Sequence, residues 1–188
     1  VIPARGGSKG IPMKNIYPVN GKPLLTYSLE MMREVVFDGD VVVSTDSEQI
    51  KEVALRTPGI DVVDRPQDIS GDKASTESAL IHALHVMEEQ KGCTYDAVVT
   101  LQATSPLRKA GTVKACFEKY EADREKYDAL LTLTETRTDY WIKEGGDHYR
   151  RLYPDAPRRR QDRDPIYIEN SAVYITDRQS LLETNSVL

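Results

Sequence analysis

The stretch from Pro3 to Asn15 has the composition of a phosphate-binding loop. It reads Pro-Ala-Arg-Gly-Gly-Ser-Lys-Gly-Ile-Pro-Met-Lys-Asn, so glycines alternate with the cations Arg5, Lys9 and Lys14. Glycine lets the backbone approach a ligand closely and lets successive amide groups surround phosphate oxygens. The side chains of Arg5, Lys9 and Lys14 would neutralise a triphosphate. A basic surface turn is the alternative, since glycine-rich turns are common between regular elements.

This loop matches neither of the widespread nucleotide-binding motifs. The sequence contains no GxxxxGK[ST] and no GxGxxG, and the absence of the second motif disfavours an NAD-dependent oxidoreductase. A non-catalytic nucleotide- or sugar-binding module stays open as a different class, because a fold does not determine a function.

Short apolar runs rich in β-branched residues alternate with longer amphipathic stretches. We predict strands over residues 41–45, 60–63, 97–101, 129–133 and 171–175. Helical spacing predicts helices that begin near Pro23, Asp46 or Ser47, Ser75 and Thr112. This order predicts a doubly wound, Rossmann-like α/β domain with a mostly parallel sheet, in which ligands bind beyond the carboxyl ends of the strands.

Composition narrows the possible partners. The net charge of −5 disfavours nucleic acid as a partner. No apolar run approaches the roughly 20 residues of a membrane span, so we expect no membrane partner. Cys93 and Cys116 form no CxxC pair, which suits a reducing compartment, and we expect a cytoplasmic protein.

Residues 135–165 break the alternation of strands and helices. They contain Trp141 and a run of arginines at 158–160, without a clear period. So long an irregular stretch is usually functional or a small subdomain. We therefore expect a single domain over 1–188 with an insertion at 135–165. The chain begins as if within a strand and without Met, so we expect the native protein to start further upstream.

Four motif blocks follow one another along the sequence, at residues 2–15, 65–76, 101–108 and 160–170. The first block, IPARGGSKGIPMKN, resembles the opening motif of the CMP-sialic acid synthetase family. The third, LQATSPLR, resembles that family's LQPTSPLR, with Ala103 in place of the usual proline. The second and fourth blocks also resemble family motifs, so the resemblance spans nearly the whole chain.

The resemblance implies a reaction and its partners. Members of this family transfer CMP from CTP to the anomeric hydroxyl of a nine-carbon sugar acid and release pyrophosphate. The family also implies a nucleotidyltransferase fold, Mg²⁺ as cofactor, and a homodimer with residues 135–165 at the interface. Its metal ligands lie in an Asp-x-Asp motif near the C-terminus, whereas the last residues of this sequence, which ends at Leu188, contain no such motif. We expect the metal ligands beyond that point and name no metal residue.

The resemblance also assigns roles to individual residues. Lys14 is expected to have the largest catalytic effect, because the charge of the leaving pyrophosphate develops in the transition state, and Arg5 and Lys9 would assist it. The residues implied in nucleotide binding are Arg5, Gly6, Gly7, Ser8, Lys9, Lys14, Asn15, Arg65, Ala74 and Thr76. The residues implied in sugar binding are Gln102, Thr104, Ser105, Arg160, Gln161 and Asn170.

Several alternatives remain for these assignments. Arg65 would instead cap an exposed turn, and Ser105 before Pro106 would cap a helix. Arg158 and Arg159 fit a solvated run of charge. Legionaminic and pseudaminic acids are alternatives to N-acetylneuraminic acid. The eight-carbon sugar acid of lipopolysaccharide is disfavoured, because its synthetases open with IPARYxSTRxPGKPL and lack GGSKG.

Overall fold

Strands and helices alternate along the chain, as the sequence predicts. A computed structural model describes residues 1–188. Its strands are β1 Ile2–Pro3, β2 Pro18–Val19, β3 Lys22–Pro23, β4 Val41–Thr45, β5 Ile60–Asp64, β6 Ala97–Thr100, β7 Ala129–Thr136, β8 Trp141–Gly145, β9 His148–Arg151 and β10 Ile166–Asp177. Its α-helices are α1 Leu24–Met32, α2 Glu48–Leu55, α3 Thr76–Lys91, α4 Ala110–Asp123 and α5 Arg178–Thr184. None of these helices combines the length and the apolar character that a membrane span requires.

The chain divides into two compact units. The first comprises Val1–Thr132 and Ser171–Leu188, and the second comprises Leu133–Asn170.

A parallel sheet in the order β1-β4-β5 lies at the centre of the first unit. Ile2 lies opposite Val43, and Val43 lies opposite Val62. The run Val-Val-Val-Ser-Thr of β4 is almost entirely buried, as expected for a parallel strand covered on both faces. Because the strands are parallel, their carboxyl ends lie at one edge, from which the segments that begin at Ala4, Asp46 and Arg65 emerge.

The strand β6 lies beside β1, since the amide of Leu101 donates to the carbonyl of Val1 (3.0 Å). On the other side of β6, β10 runs antiparallel and places Tyr174 opposite Thr100. Helices α1, α2 and α4 contribute Leu25, Ile50 and Val113 to the main apolar core. The predicted α/β class with a parallel sheet is confirmed.

The second unit contains a hairpin that the sequence did not predict. Strands β8 and β9 pair antiparallel, with Trp141 opposite Arg151. Nearly all residues of both strands are exposed. Because neither face of the hairpin packs against a core, the sequence lacks the alternation of apolar and polar residues that predicts a strand. The buried exception is Arg151, whose Nε lies 2.8 Å from Oδ1 of Asp139. Arg163 also pairs with Asp139 (3.1 Å), so one carboxylate organises this unit.

Candidate active site

The glycine-rich loop that follows β1 is held by polar contacts to its backbone. The amide of Gly6 donates to Oδ1 of Asp46 (2.8 Å), and the buried Asn15 donates from Nδ2 to the carbonyl of Arg5 (3.0 Å). A Cβ on Gly6 would lie 3.0 Å from Cβ of Ser47, so a larger residue would have to displace Ser47 and this close approach favours glycine. These contacts use the backbone of the loop and leave its cationic side chains at the surface.

Arg5 and Lys9 converge on one carboxylate. Nη1 of Arg5 lies 3.1 Å from Oδ1 of Asp72, and Nζ of Lys9 lies 2.7 Å from Oδ2. The hydrogen bond from Lys9 is the largest cause that lowers the pKa of Asp72, and Arg5 adds to it. Sequence reasoning gave Asp72 no role, although the signal existed as an acidic residue within the second motif block.

Arg65 is buried at the carboxyl end of β5. Its Nε donates to Oγ of Ser44 (3.1 Å) and its Nη2 to the carbonyl oxygen of Ser44 (2.8 Å). Burial is the largest influence on Arg65 and lowers its pKa; the charge of Asp46 opposes this, and the charge of Arg5 adds to it. The alternative that Arg65 caps an exposed turn is therefore wrong. Its guanidinium belongs to the same charged cluster as the glycine-rich loop.

The segment after Arg65 carries the predicted residues Ala74 and Thr76. Ser75 caps α3, since its Oγ accepts from the amide of Ser78 (3.1 Å). Thr76, the first residue of the helix, is exposed. The ion pairs of Asp72 join this segment to the glycine-rich loop.

Lys14 stands at the other end of the loop. It is the first residue of a short 3₁₀-helix, Lys14–Ile16, and is half-buried. It makes neither of the ion pairs that Arg5 and Lys9 make with Asp72. Gly7 and Ser8 lie between Arg5 and Lys9 in the sequence. The amide of Ser8 donates to the carbonyl of Gly6 (2.9 Å).

Arg108 organises the loop that follows β6, and sequence reasoning gave it no role. Its guanidinium donates to the carbonyl of Gln102 (2.6 Å), the carbonyl of Ala172 (2.7 Å) and Oγ of Ser28 (3.1 Å). Burial lowers the pKa of Arg108 to about 10, so it stays charged at neutral pH. The loop therefore has a fixed backbone, whereas the side chain of Thr104 is exposed.

Ser105 does not cap a helix. Its amide closes a turn onto the carbonyl of Gln102 (3.2 Å), and α4 begins only at Ala110 with Lys109 as its N-cap. The helix-capping alternative is therefore wrong, because a turn of several residues separates Ser105 from the helix. Ser105 and Gln102 are half-buried.

The remaining predicted sugar-binding residues lie in the second unit. Arg160 and Gln161 belong to an exposed 3₁₀-turn, Arg160–Asp162. Arg163 supports this turn by donating from Nε to the carbonyl of Pro157 (2.6 Å). Asn170 donates from Nδ2 to Oγ1 of Thr134 (3.1 Å).

A ready-made metal site is absent from the chain. No group of three or more His, Cys, Asp or Glu side chains is placed to hold a metal ion. Of the carboxylates near the loop, Asp46 accepts from the amide of Gly6, and Asp72 accepts from Arg5 and Lys9. These residues do not by themselves fit the oxygen-rich coordination of Mg²⁺.

Comparison with known proteins identifies the family of the chain. A family model described as "Cytidylyltransferase" matches residues 1–188. The pseudaminic acid cytidylyltransferase of Campylobacter jejuni subsp. jejuni serotype O:23/36 is 33% identical over 100% of this chain and 81% of its own length. The N-acylneuraminate cytidylyltransferase of Streptococcus agalactiae serotype V is 35% identical over 99% of this chain. The chain spans only 45% of the streptococcal protein.

The fold also occurs in a solved nucleotidyltransferase. A CMP:2-keto-3-deoxy-manno-octonic acid synthetase, solved with CTP, superposes with a TM-score of 0.71 at 18% identity. The match covers 98% of this chain and 75% of that one. At this identity the comparison supports the fold alone.

Proposed function

The chain belongs to the cytidylyltransferase family, and on this premise we propose that it transfers CMP from CTP to a sialic-acid-type nonulosonic acid. The anomeric hydroxyl would attack the α-phosphorus, the bond to the β-phosphate would break, and pyrophosphate would leave. N-acylneuraminate is the proposed acceptor, and pseudaminic and legionaminic acids are the alternatives. The related proteins named for two of these acids have nearly equal identity, 33% and 35%.

One observation carries the proposal: separate strand ends bring cations to one edge of the sheet. Arg5 and Lys9 meet at Asp72, and Arg65 is close enough to feel the charge of Arg5. A triphosphate is the ligand whose charge such a cluster matches. A surface turn would not need the buried support that Arg65 receives from Ser44.

The proposed roles follow the placement of the side chains. Lys14 makes no ion pair with Asp72, and it is proposed to stabilise the charge that develops on pyrophosphate. Gln102, Thr104 and Ser105 are proposed to bind sugar hydroxyls, on a loop that Arg108 holds in place. In the second unit, Arg160 is proposed to bind the sugar carboxylate bidentately, and Gln161 and Asn170 are each proposed to contact the sugar acid.

Mg²⁺ is the proposed cofactor because of the chemistry of the proposed reaction. Nucleotidyl transfer from a triphosphate uses a divalent ion to offset charge on the phosphates. The phosphate oxygens and water would supply ligands, and no side chain of this chain is assigned to the ion.

A homodimer is the proposed assembly, and the cytoplasm is the proposed location. The second unit exposes large side chains that suit an interface, namely Trp141, Tyr149, Tyr153, Tyr167 and Ile168. Aromatic residues are enriched at the cores of protein interfaces.

Pyrophosphate release by the full-length protein tests the proposed function. The assay would contain CTP, Mg²⁺ and, in separate reactions, N-acetylneuraminic, pseudaminic, legionaminic or the eight-carbon acid. We expect release with one nine-carbon acid, lost on replacing CTP by UTP or on adding a chelator. A folded protein that binds CTP but releases no pyrophosphate with any acid would instead indicate a binding module.

A further inference from the structure

The carboxylate of Asp72 contacts two cations, Arg5 and Lys9, that are proposed to bind phosphate. Its oxygens are within 3.1 Å of Arg5 Nη1 and 2.7 Å of Lys9 Nζ. A phosphate group presents paired oxygens to cations in the same way. The side chains of Arg5, Lys9 and Asp72 retain 33%, 77% and 45% of their exposure, so an anion from solvent can reach them without unfolding of the chain.

The turn that carries Asp72 has fixed ends. On one side, Ser70 is buried and donates from Oγ to the carbonyl of Pro66 (2.7 Å). On the other side, Ser75 caps α3. Between them, Gly71 and Asp72 are exposed. The carboxylate can therefore leave its partners through a change within this turn, while Ser70 and α3 keep their positions.

We propose that Asp72 is an internal counter-anion, which the polyphosphate of a nucleotide displaces from Arg5 and Lys9 as it binds. The inference rests on the proposed function, because that function supplies the polyphosphate. Before binding, the single negative charge of Asp72 offsets part of the repulsion between two cations of the loop. After transfer, the same carboxylate competes with pyrophosphate for Arg5 and Lys9 and so favours release of the product.

A purely structural role for Asp72 predicts the opposite change in ligand affinity when its carboxylate is removed. In that case the ion pairs only attach the segment of Ala74 and Thr76 to the glycine-rich loop. Removing the carboxylate would then loosen the nucleotide site and weaken binding. A displaceable counter-anion predicts tighter binding, because the ligand no longer breaks two ion pairs before it gains Arg5 and Lys9.

Binding of inorganic pyrophosphate and of CTP to the full-length protein separates these roles. We expect Asp72→Asn to lower the Kd of both ligands by about 3- to 10-fold, the range that two partly exposed ion pairs can supply. Asp72→Glu keeps the charge, and Asp68→Asn removes an exposed charge from the same segment; both should stay within about 2-fold of wild type. All measurements need one ionic strength, because salt screens these charges.

Unchanged or weaker pyrophosphate binding by Asp72→Asn, in a protein with the wild-type unfolding midpoint, would overturn the inference. Failure of both Asp72→Asn and Asp72→Ser to fold would also overturn it, since a displaceable anion is not needed for folding. Pyrophosphate binding involves neither cytosine nor a sugar acid. Tighter binding in Asp72→Asn without turnover in wild type would therefore support the inference while contradicting the proposed function.

Discussion

Arg65 and Ser44 are joined by two hydrogen bonds, one from Nε to Oγ (3.1 Å) and one from Nη2 to the carbonyl oxygen (2.8 Å). Through these bonds, strand β4 holds Arg65, the predicted nucleotide-binding residue that follows strand β5. We therefore expect two roles for Arg65: its guanidinium supports the sheet edge, and it is proposed to contribute charge to the nucleotide site.

Arg65→Ala should therefore lower both stability and CTP affinity. Removing the guanidinium leaves the buried Ser44 with fewer hydrogen-bond partners, at a cost of about 1–3 kcal/mol in the free energy of unfolding. Urea unfolding and calorimetric binding of CTP measure the two effects. Arg56→Ala, at the end of α2, is the control for loss of charge. A CTP affinity equal to that of wild type would contradict the assignment of Arg65 to the nucleotide site.

Lys14→Ala should lower turnover far more than it weakens sugar binding. If the ammonium group acts on charge that develops on pyrophosphate, kcat should fall by about 100-fold. KM for the sugar acid should then change by less than about 3-fold. Steady-state pyrophosphate release measures both, with Lys119→Ala in α4, which removes a surface pair to Asp123, as the control. Unchanged kcat with a raised KM for the sugar acid would show that Lys14 binds rather than catalyses.

Arg108→Met should affect the sugar acid more than CTP. The substitution removes the donors that hold the carbonyl of Gln102 and the Oγ of Ser28, so the loop of Gln102 and Ser105 loses its anchor. We expect KM for the sugar acid to rise by about 10-fold while KM for CTP changes by less than about 2-fold. Arg108→Lys should recover part of the loss. Equal increases in both KM values would indicate general destabilisation rather than positioning.

Glu88→Gln should destabilise the first unit in a pH-dependent way. Oε1 and Oε2 of Glu88 accept from Nε (2.7 Å) and Nη2 (3.0 Å) of Arg178, and Oε1 also accepts from the amide of Tyr95. Arg178 is the largest cause that lowers the pKa of Glu88 below 4.5. A lowered folded-state pKa gives stability that is complete above the unfolded pKa and is lost as the pH falls through the folded pKa.

At pH 7 we therefore expect Glu88→Gln to lower the free energy of unfolding by about 1–2 kcal/mol. The difference from wild type should shrink as the pH falls below the unfolded pKa of Glu, about 4.3, and should be smallest once the pH has fallen through the lowered pKa of folded Glu88. Urea unfolding at a series of pH values measures this. Glu89→Gln, at the exposed neighbouring position, should show neither effect. A difference that stays constant with pH would contradict the role of the ion pair.

Local patterns in the sequence predict much of the first unit. The β-branched run of β4 and the capping serine of α3 are patterns of residues that are adjacent in the sequence. Both elements can therefore be predicted without knowledge of tertiary contacts. The glycine-rich loop is readable for the same reason. Asp72 and Arg108 were given no role, because their contacts join positions 67 and 80 residues apart, and no local pattern records such pairs. The hairpin of β8 and β9 was missed because both of its faces are exposed.

The proposed homodimer predicts a particle of twice the monomer mass in solution. The exposed aromatic side chains of the second unit, among them Trp141 and Tyr167, would lose water contact at a shared interface, and large apolar side chains give most of the free energy of association. Trp141→Lys should shift the full-length protein toward the monomer in light scattering at micromolar concentration. Val36→Lys, which places the same charge at a 92% exposed position of the first unit, should leave the mass unchanged. A wild-type monomer under these conditions would contradict the proposed assembly, whereas a dimer unaffected by Trp141→Lys would place its interface on another surface.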